Sequence, residues 1–308
     1  MDIQRNSRST LVVVELDLED RLLFRRRDGR EQVIRVVHSN ARIHSTTLAK
    51  PRTPEREAHT VVRAHVTLEI DGVQVQLVRW FGCDRSFADP YRIAGLELWF
   101  DNNTDLFDHL NEDHGSCRPQ RRVRLALWES DRRPCPMLLH PWCPLPGDGL
   151  RITDCYDSND CWCGPFDGAD AHGGLDINHP AGTVLYTPLA FHRHSFFNHL
   201  RDGHNNNRWR GEIDWPDGSV WALQSHHIIE LLVPENEPLA AGLPYAITGG
   251  MLTGMYEHSH FVFAVKDPAD EEEIRVDPWL LFRQMVRDRQ GMTAQRHRGI
   301  IQRRDPAC

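Results

Sequence analysis

Between residues 65 and 81 the chain reads "HVTLEIDGVQVQLVRWF". Apolar and polar residues alternate on both sides of Asp71-Gly72, which predicts two half-buried strands joined by a tight hairpin. "LVVVELDL", "QVIRVVH" and "RRVRLALW" are further strand candidates, so residues 1–131 are expected to form a β-rich accessory domain. Within it, "TDLFDHLNED" (104–113) is expected to form one short helix. Residues 132–151 open with "RRPCPMLLHPWCPLPGDGL". Proline at that density excludes a regular element, so this stretch is a linker or an extended wrap, and the domain boundary is placed there.

From 152 to 308 the patterning is again mostly that of strands. "GTVLYT" is one, and "EIDWPDGSVWALQSHHIIELLV" (212–233) predicts two around Pro216-Asp217-Gly218. "TGGMLTGMYEHSHFVFAV" (248–265) reads as a glycine-rich turn feeding a strand. "HRHSFFNHLRDGHNNNRWRG" (192–211) is polar and reads as an exposed loop, with His192, His194, His199 and His204 as solvated surface. Trp209, Trp215 and Trp221 are expected mainly in the core. The end is helical: Asp277 can cap, Pro278 fits the first position, Trp279, Phe282 and Val286 share a face, and Gly291 can close it. The fold class expected is mainly β with a C-terminal helix.

Composition narrows the functional classes. With 308 residues and 40% hydrophobic content the chain can bury a sizeable core. A net charge of −8 gives no reason to expect nucleic acid as a partner. The basic runs at 24–30 and 295–304 read as solvated surface or a tail. No apolar run is long enough to span a membrane, and the first residues lack the shape of a signal peptide. Of the 8 cysteines, Cys135, Cys143, Cys155, Cys161 and Cys163 lie close together with no CxxC pair. That argues against a zinc ribbon and leaves disulfides and buried thiols both open.

The chemistry-bearing stretch is "AHGGLDINHPAGTVLYT" (171–187). Gly173 and Gly174 argue against a helix, so His172 and Asp176 are expected at the end of a loop entering a strand, both reaching one point. In "HSHFVF" a strand sets His258 and His260 on one face, with Ser259, Phe261 and Phe263 on the other. Together these side chains offer enough nitrogen and oxygen ligands for one tetrahedral Zn2+ with a position left for water. No HExxH helix is present, so histidines must handle the protons. His179, before Pro180, is read as local structure.

These two motifs and the intervening "SHHIIELLVPENEPLAAGLPYAITGG" resemble the lysostaphin-type zinc metallopeptidases, the peptidoglycan endopeptidases, over about residues 170–265. The resemblance implies an antiparallel β zinc-peptidase domain and hydrolysis of peptide bonds in peptidoglycan cross-bridges or stem peptides, hence an extracytoplasmic setting. It makes His172, Asp176 and His260 the zinc ligands and His258 a catalytic histidine. The second catalytic histidine falls at His227 or His226. Adjacent strand residues face opposite ways, so only one is expected to reach the metal, and spacing favours His227. The alternative is a non-catalytic peptide- or glycan-binding module that keeps the fold.

Overall fold

The computed structural model describes residues 1–114, 117–147, 149–201, 204–251 and 257–302, and the side chains of all these except 113–114, 200–201 and 292–302. The fold is mainly β, with several antiparallel sheets and one C-terminal helix. The first five-stranded sheet runs in the order Asp2–Asn6, Arg21–Arg25, Glu31–Thr46, Thr60–Ile70, Val73–Phe81. Its first pair is parallel and the rest antiparallel. In Thr60–Ile70 the residues at 60, 62, 64, 66, 68 and 70 are buried, the period of two that a sheet with one covered face requires. The predicted hairpin is present, Ile70 pairing with Val73 across Asp71 (φ 49°) and Gly72 (φ 82°). Both central residues need the left-handed region there, which glycine and aspartate tolerate best.

A four-stranded sheet, in the order Val12–Leu16, Val123–Glu129, Leu96–Asn103, Tyr91–Ile93, is the shared middle layer. Leu98, Phe100, Leu125 and Leu127 join one core with the five-stranded sheet. Val13, Trp99, Ala126 and Trp128 join a second core with residues from 135 to 285. The helix Trp279–Gln302 packs into that second core through Trp279, Leu280, Leu281, Phe282 and Met285. Asp277 accepts from Trp279 N (2.8 Å), as capping requires, but the helix continues past Gly291. Helix propensity on both sides of a single glycine outweighs its cost of about 1 kcal/mol. Within the proline-rich stretch, Cys135, Leu139, Trp142 and Cys143 are buried in the same core.

The second half is built on a six-stranded sheet. Its main path is Leu175–Asn178, His258–Lys266, Val220–His226, Arg208–Asp214, Arg193–Phe197, and Ile274–Val276 pairs with the far half of His258–Lys266. A three-stranded sheet of Val184–Tyr186, Pro244–Thr248 and Ile228–Leu231 lies beside it. Two expectations change. Residues 104–108 form a 3-10 turn, and Asn111–His114 is a strand that pairs parallel with Asp170–His172. Residues 193–197 form an edge strand where a loop was expected, because His194 is buried against Trp209, whose Nε1–H donates to His194 Nδ1 (3.1 Å). Trp209, Trp215 and Trp221 are core residues. Seven cysteines, from Cys83 to Cys163, are free thiols, all buried but Cys83. Residues 252–256 of the glycine-rich turn, the side chains of the 295–304 basic run and Cys308 lie outside the described residues. No helix among the described residues is long and apolar enough to cross a membrane.

Candidate metal centre

His172 and Asp176 sit on two short strands, Asp170–His172 and Leu175–Asn178, with Gly173 and Gly174 as the corner between them. This places them in strands where the end of a loop was expected. Gly174 is required by packing: a Cβ there would collide with the His260 ring. Antiparallel pairing puts Asp176 directly opposite His260 and Asn178 opposite His258. His258 and His260 both line a cleft of about 460 Å³, while Ser259 and Phe261 point into the interior.

Three ligand atoms converge. His172 Nε2 lies 2.9 Å from His260 Nδ1, which lies 2.9 Å from Asp176 Oδ1. His172 Nε2 to Asp176 Oδ1 is 3.5 Å. Ligands held about 2.0–2.1 Å from a tetrahedral zinc lie about 3.3 Å apart, so this spacing fits one such ion. Among the described residues this is the only group of three or more His, Cys, Asp or Glu ligand atoms drawn together in this way. His192, His194, His199 and His204 form no second cluster of that kind.

The surrounding residues fix the ring orientations. His172 Nδ1–H donates to the Cys161 carbonyl (3.2 Å) and lies 2.9 Å from the Asp160 carboxylate, leaving Nε2 directed at the convergence point. A carboxylate behind a metal-binding imidazole sets its tautomer and raises its basicity. His258 Nε2 lies 3.2 Å from Asp176 Oδ2, so the two oxygens of Asp176 face two different partners. The Tyr156 ring lies 4.4 Å from that of His258. His227 Nδ1–H donates to the Asn205 carbonyl (2.6 Å), which leaves its Nε2 for the cleft.

His226 and His227 both line the cleft, their rings 4.5 Å from His260 and 4.7 Å from His258 respectively. Both rings thus stand at the cleft, where alternation along a regular strand would place only one of them. Strand alternation stops at His226 because His227 takes φ 64°, which turns the chain and brings its ring round to the same side. His179 is buried behind the strand, its Nε2 2.7 Å from Ser259 Oγ.

Charge follows burial. Burial lowers the imidazoles of His226, His227 and His260, the last two to about 3 and about 4, so they are neutral and can act as ligands or proton acceptors. Burial alone would also lower His172, but Asp160 and Asp176 outweigh it and raise this imidazole to about 10. Asp160 is raised to about 7 by burial first, with Asp176 adding and His172 opposing. Burial works against ionised Asp176 too, yet His172, His258 and His260 hold it well below the ordinary range. In this donor set a divalent cation would replace the proton that His172 otherwise carries between the two buried carboxylates.

Asp160 and Tyr156 were not singled out from the sequence. The only available signal was an acidic residue in the irregular stretch before the histidine motif. That stretch is clamped by Cys163 N–H donating to the His172 carbonyl (2.9 Å) and Trp162 Nε1–H donating to Asp101 (3.2 Å).

No family model matches the chain, and no curated protein matches it. Solved structures do. The antimicrobial peptidase lysostaphin from Staphylococcus simulans is similar at 18% identity over 37% of this chain and 45% of that chain, with a TM-score of 0.29. This chain thus spans less than half of that protein's length. LytU is similar at 24% identity over 37% of this chain and 72% of that one, with a TM-score of 0.28. A zinc-containing peptidase from Vibrio cholerae is similar at 11% identity over 89% of this chain and 84% of that one, with a TM-score of 0.33. The chain is therefore similar to lysostaphin-type peptidases at low identity and low TM-score, and the argument for its chemistry rests on its own side chains.

Proposed function

We propose that the protein is a zinc-dependent endopeptidase acting on peptide bonds of peptidoglycan cross-bridges or stem peptides. The observation that carries this reading is the convergence of His172 Nε2, Asp176 Oδ1 and His260 Nδ1 at 2.9–3.5 Å in an open cleft. Zinc bound there supplies Lewis acidity toward water and toward a peptide carbonyl. The chain supplies the rest. Asp160 and the Cys161 carbonyl hold His172 in register, and His258 holds the second oxygen of Asp176. His227, neutral and anchored through Nδ1, takes or returns a proton at Nε2, with His226 as the second candidate for that role. His258, His227 and His226 wall the cleft where the oxyanion of the attacked carbonyl would develop, and His227, once it has taken a proton at Nε2, can donate that N–H toward it.

The test is release of new amino termini from purified peptidoglycan by the zinc-loaded chain. Release is expected, and His227→Ala should lower kcat about 10²–10⁴-fold, the usual contribution of a positioned proton-transfer group. A chain that retains zinc but releases no amino termini from any peptidoglycan would favour a non-catalytic peptide- or glycan-binding module.

A further inference from the structure

The cleft has a cationic wall that neither holding a metal nor moving a proton requires. Three arginines stand on this side of the sheet. Arg210 is neutralised, bonding to Glu212 (2.8 Å) and in a forked pair to Glu273 (3.1 and 2.7 Å). Arg208 and Arg275 line the cleft itself. Among the described residues no carboxylate forms an ion pair with either guanidinium, and Arg208 Nε is buried without a hydrogen-bond partner. Glu273, the carboxylate that draws on Arg275, is already held by Arg210.

Their placement is fixed by register. Arg208 lies directly opposite His226, whose ring is 4.5 Å from His260. Arg275 lies opposite Ala264, on the strand face that carries His258 and His260. The two arginines also repel each other: burial lowers Arg275 first, and Arg208 and Arg210 lower it further. Two partly buried guanidinium groups that line one cleft without an ion pair of their own are destabilising unless a ligand supplies the charge.

We propose that Arg208 and Arg275 bind a carboxylate of the substrate close to the scissile bond, so that the enzyme selects acidic over amidated peptides. The inference deepens the peptidase reading and rests on it. A guanidinium fork matches a carboxylate in two parallel hydrogen bonds, which gives direction as well as charge. Stem peptides offer such groups, on the γ-linked D-glutamate and at the carboxyl terminus, whereas a run of neutral cross-bridge residues does not.

The test uses the full chain and two synthetic probes, L-Ala-γ-D-Glu-L-Lys-D-Ala-D-Ala and the same peptide amidated at both carboxyl groups. Binding is measured by calorimetry in excess 1,10-phenanthroline, a neutral chelator that removes turnover from the readout, and hydrolysis is followed separately in zinc. The acid should bind at least about tenfold tighter than the diamide, as a charge-assisted forked pair supports. Arg208→Gln with Arg275→Gln should erase that preference by bringing the acid's affinity down to that of the diamide, while Arg30→Gln, an exposed arginine elsewhere, should leave the preference intact. Equal affinities in the unmodified chain, no binding of either peptide, or a preference that survives the double substitution would overturn the inference. An acid preference together with no release of amino termini from any peptidoglycan would uphold the carboxylate site and sink the peptidase reading instead.

Discussion

Asp160 shows what a single side chain contributes to a site it would not itself ligate. It is buried, 2.9 Å from His172 Nδ1, and, with the Cys161 carbonyl to which Nδ1–H donates, favours the orientation in which Nε2 faces His260 and Asp176. Replacing it with asparagine keeps the shape and removes the charge. Asp160→Asn should lower zinc affinity about 10–100-fold, the usual effect of losing a carboxylate behind a metal-binding histidine. A competition titration against a chromophoric chelator measures this, and thermal unfolding of the metal-free chain should change little. Unchanged affinity would show that the Asp160 contact does not tune His172. The ligand triad was legible in the sequence because each member sits in a short, patterned motif. Asp160 was not, because its contact depends on how an irregular segment folds back, and no periodicity encodes that.

At the scale of elements, the site is held by the strand His258–Lys266, one face of which carries the histidines while the other builds the core. Phe261 is fully buried, with ring centroids 4.7 Å from Trp142 and 5.2 Å from Phe282. It joins the strand to the proline-rich wrap and to the C-terminal helix. Phe261→Ala should destabilise the chain by about 3–5 kcal/mol, since a cavity is left as well as apolar area lost, and denaturant unfolding reads this directly. A loss below about 1 kcal/mol would mean that the core collapses into the space and the strand is not anchored there. Alternation made this strand, the Asp71-Gly72 hairpin and the Trp215–Trp221 core legible in advance. It failed at His227, where a left-handed residue breaks the period, and at 193–197, where polar letters hide an edge strand whose His194 is bonded to Trp209. It also failed at 104–113, where tertiary pairing with Asp170–His172 overrides a helical pattern.

At the scale of the molecule, the candidate centre is not confined to the stretch that carries its motifs. The strand Asn111–His114 pairs with Asp170–His172, and Asn111 Nδ2–H donates to Asp170 Oδ1 (2.8 Å), so the first half of the chain braces the strand on which His172 sits. Both cores mix residues from the two halves, and local patterning cannot reveal this because it arises from long-range docking. The central claim is that this framework presents His172, Asp176 and His260 to one divalent cation. Elemental analysis of the purified chain, dialysed against zinc and then against metal-free buffer, tests it most directly. The account predicts about one bound zinc per chain for the unmodified protein and almost none for His172→Ala, because the ion needs three protein ligands. An unmodified chain that retains no zinc, or a His172→Ala chain that retains it equally well, would contradict the account.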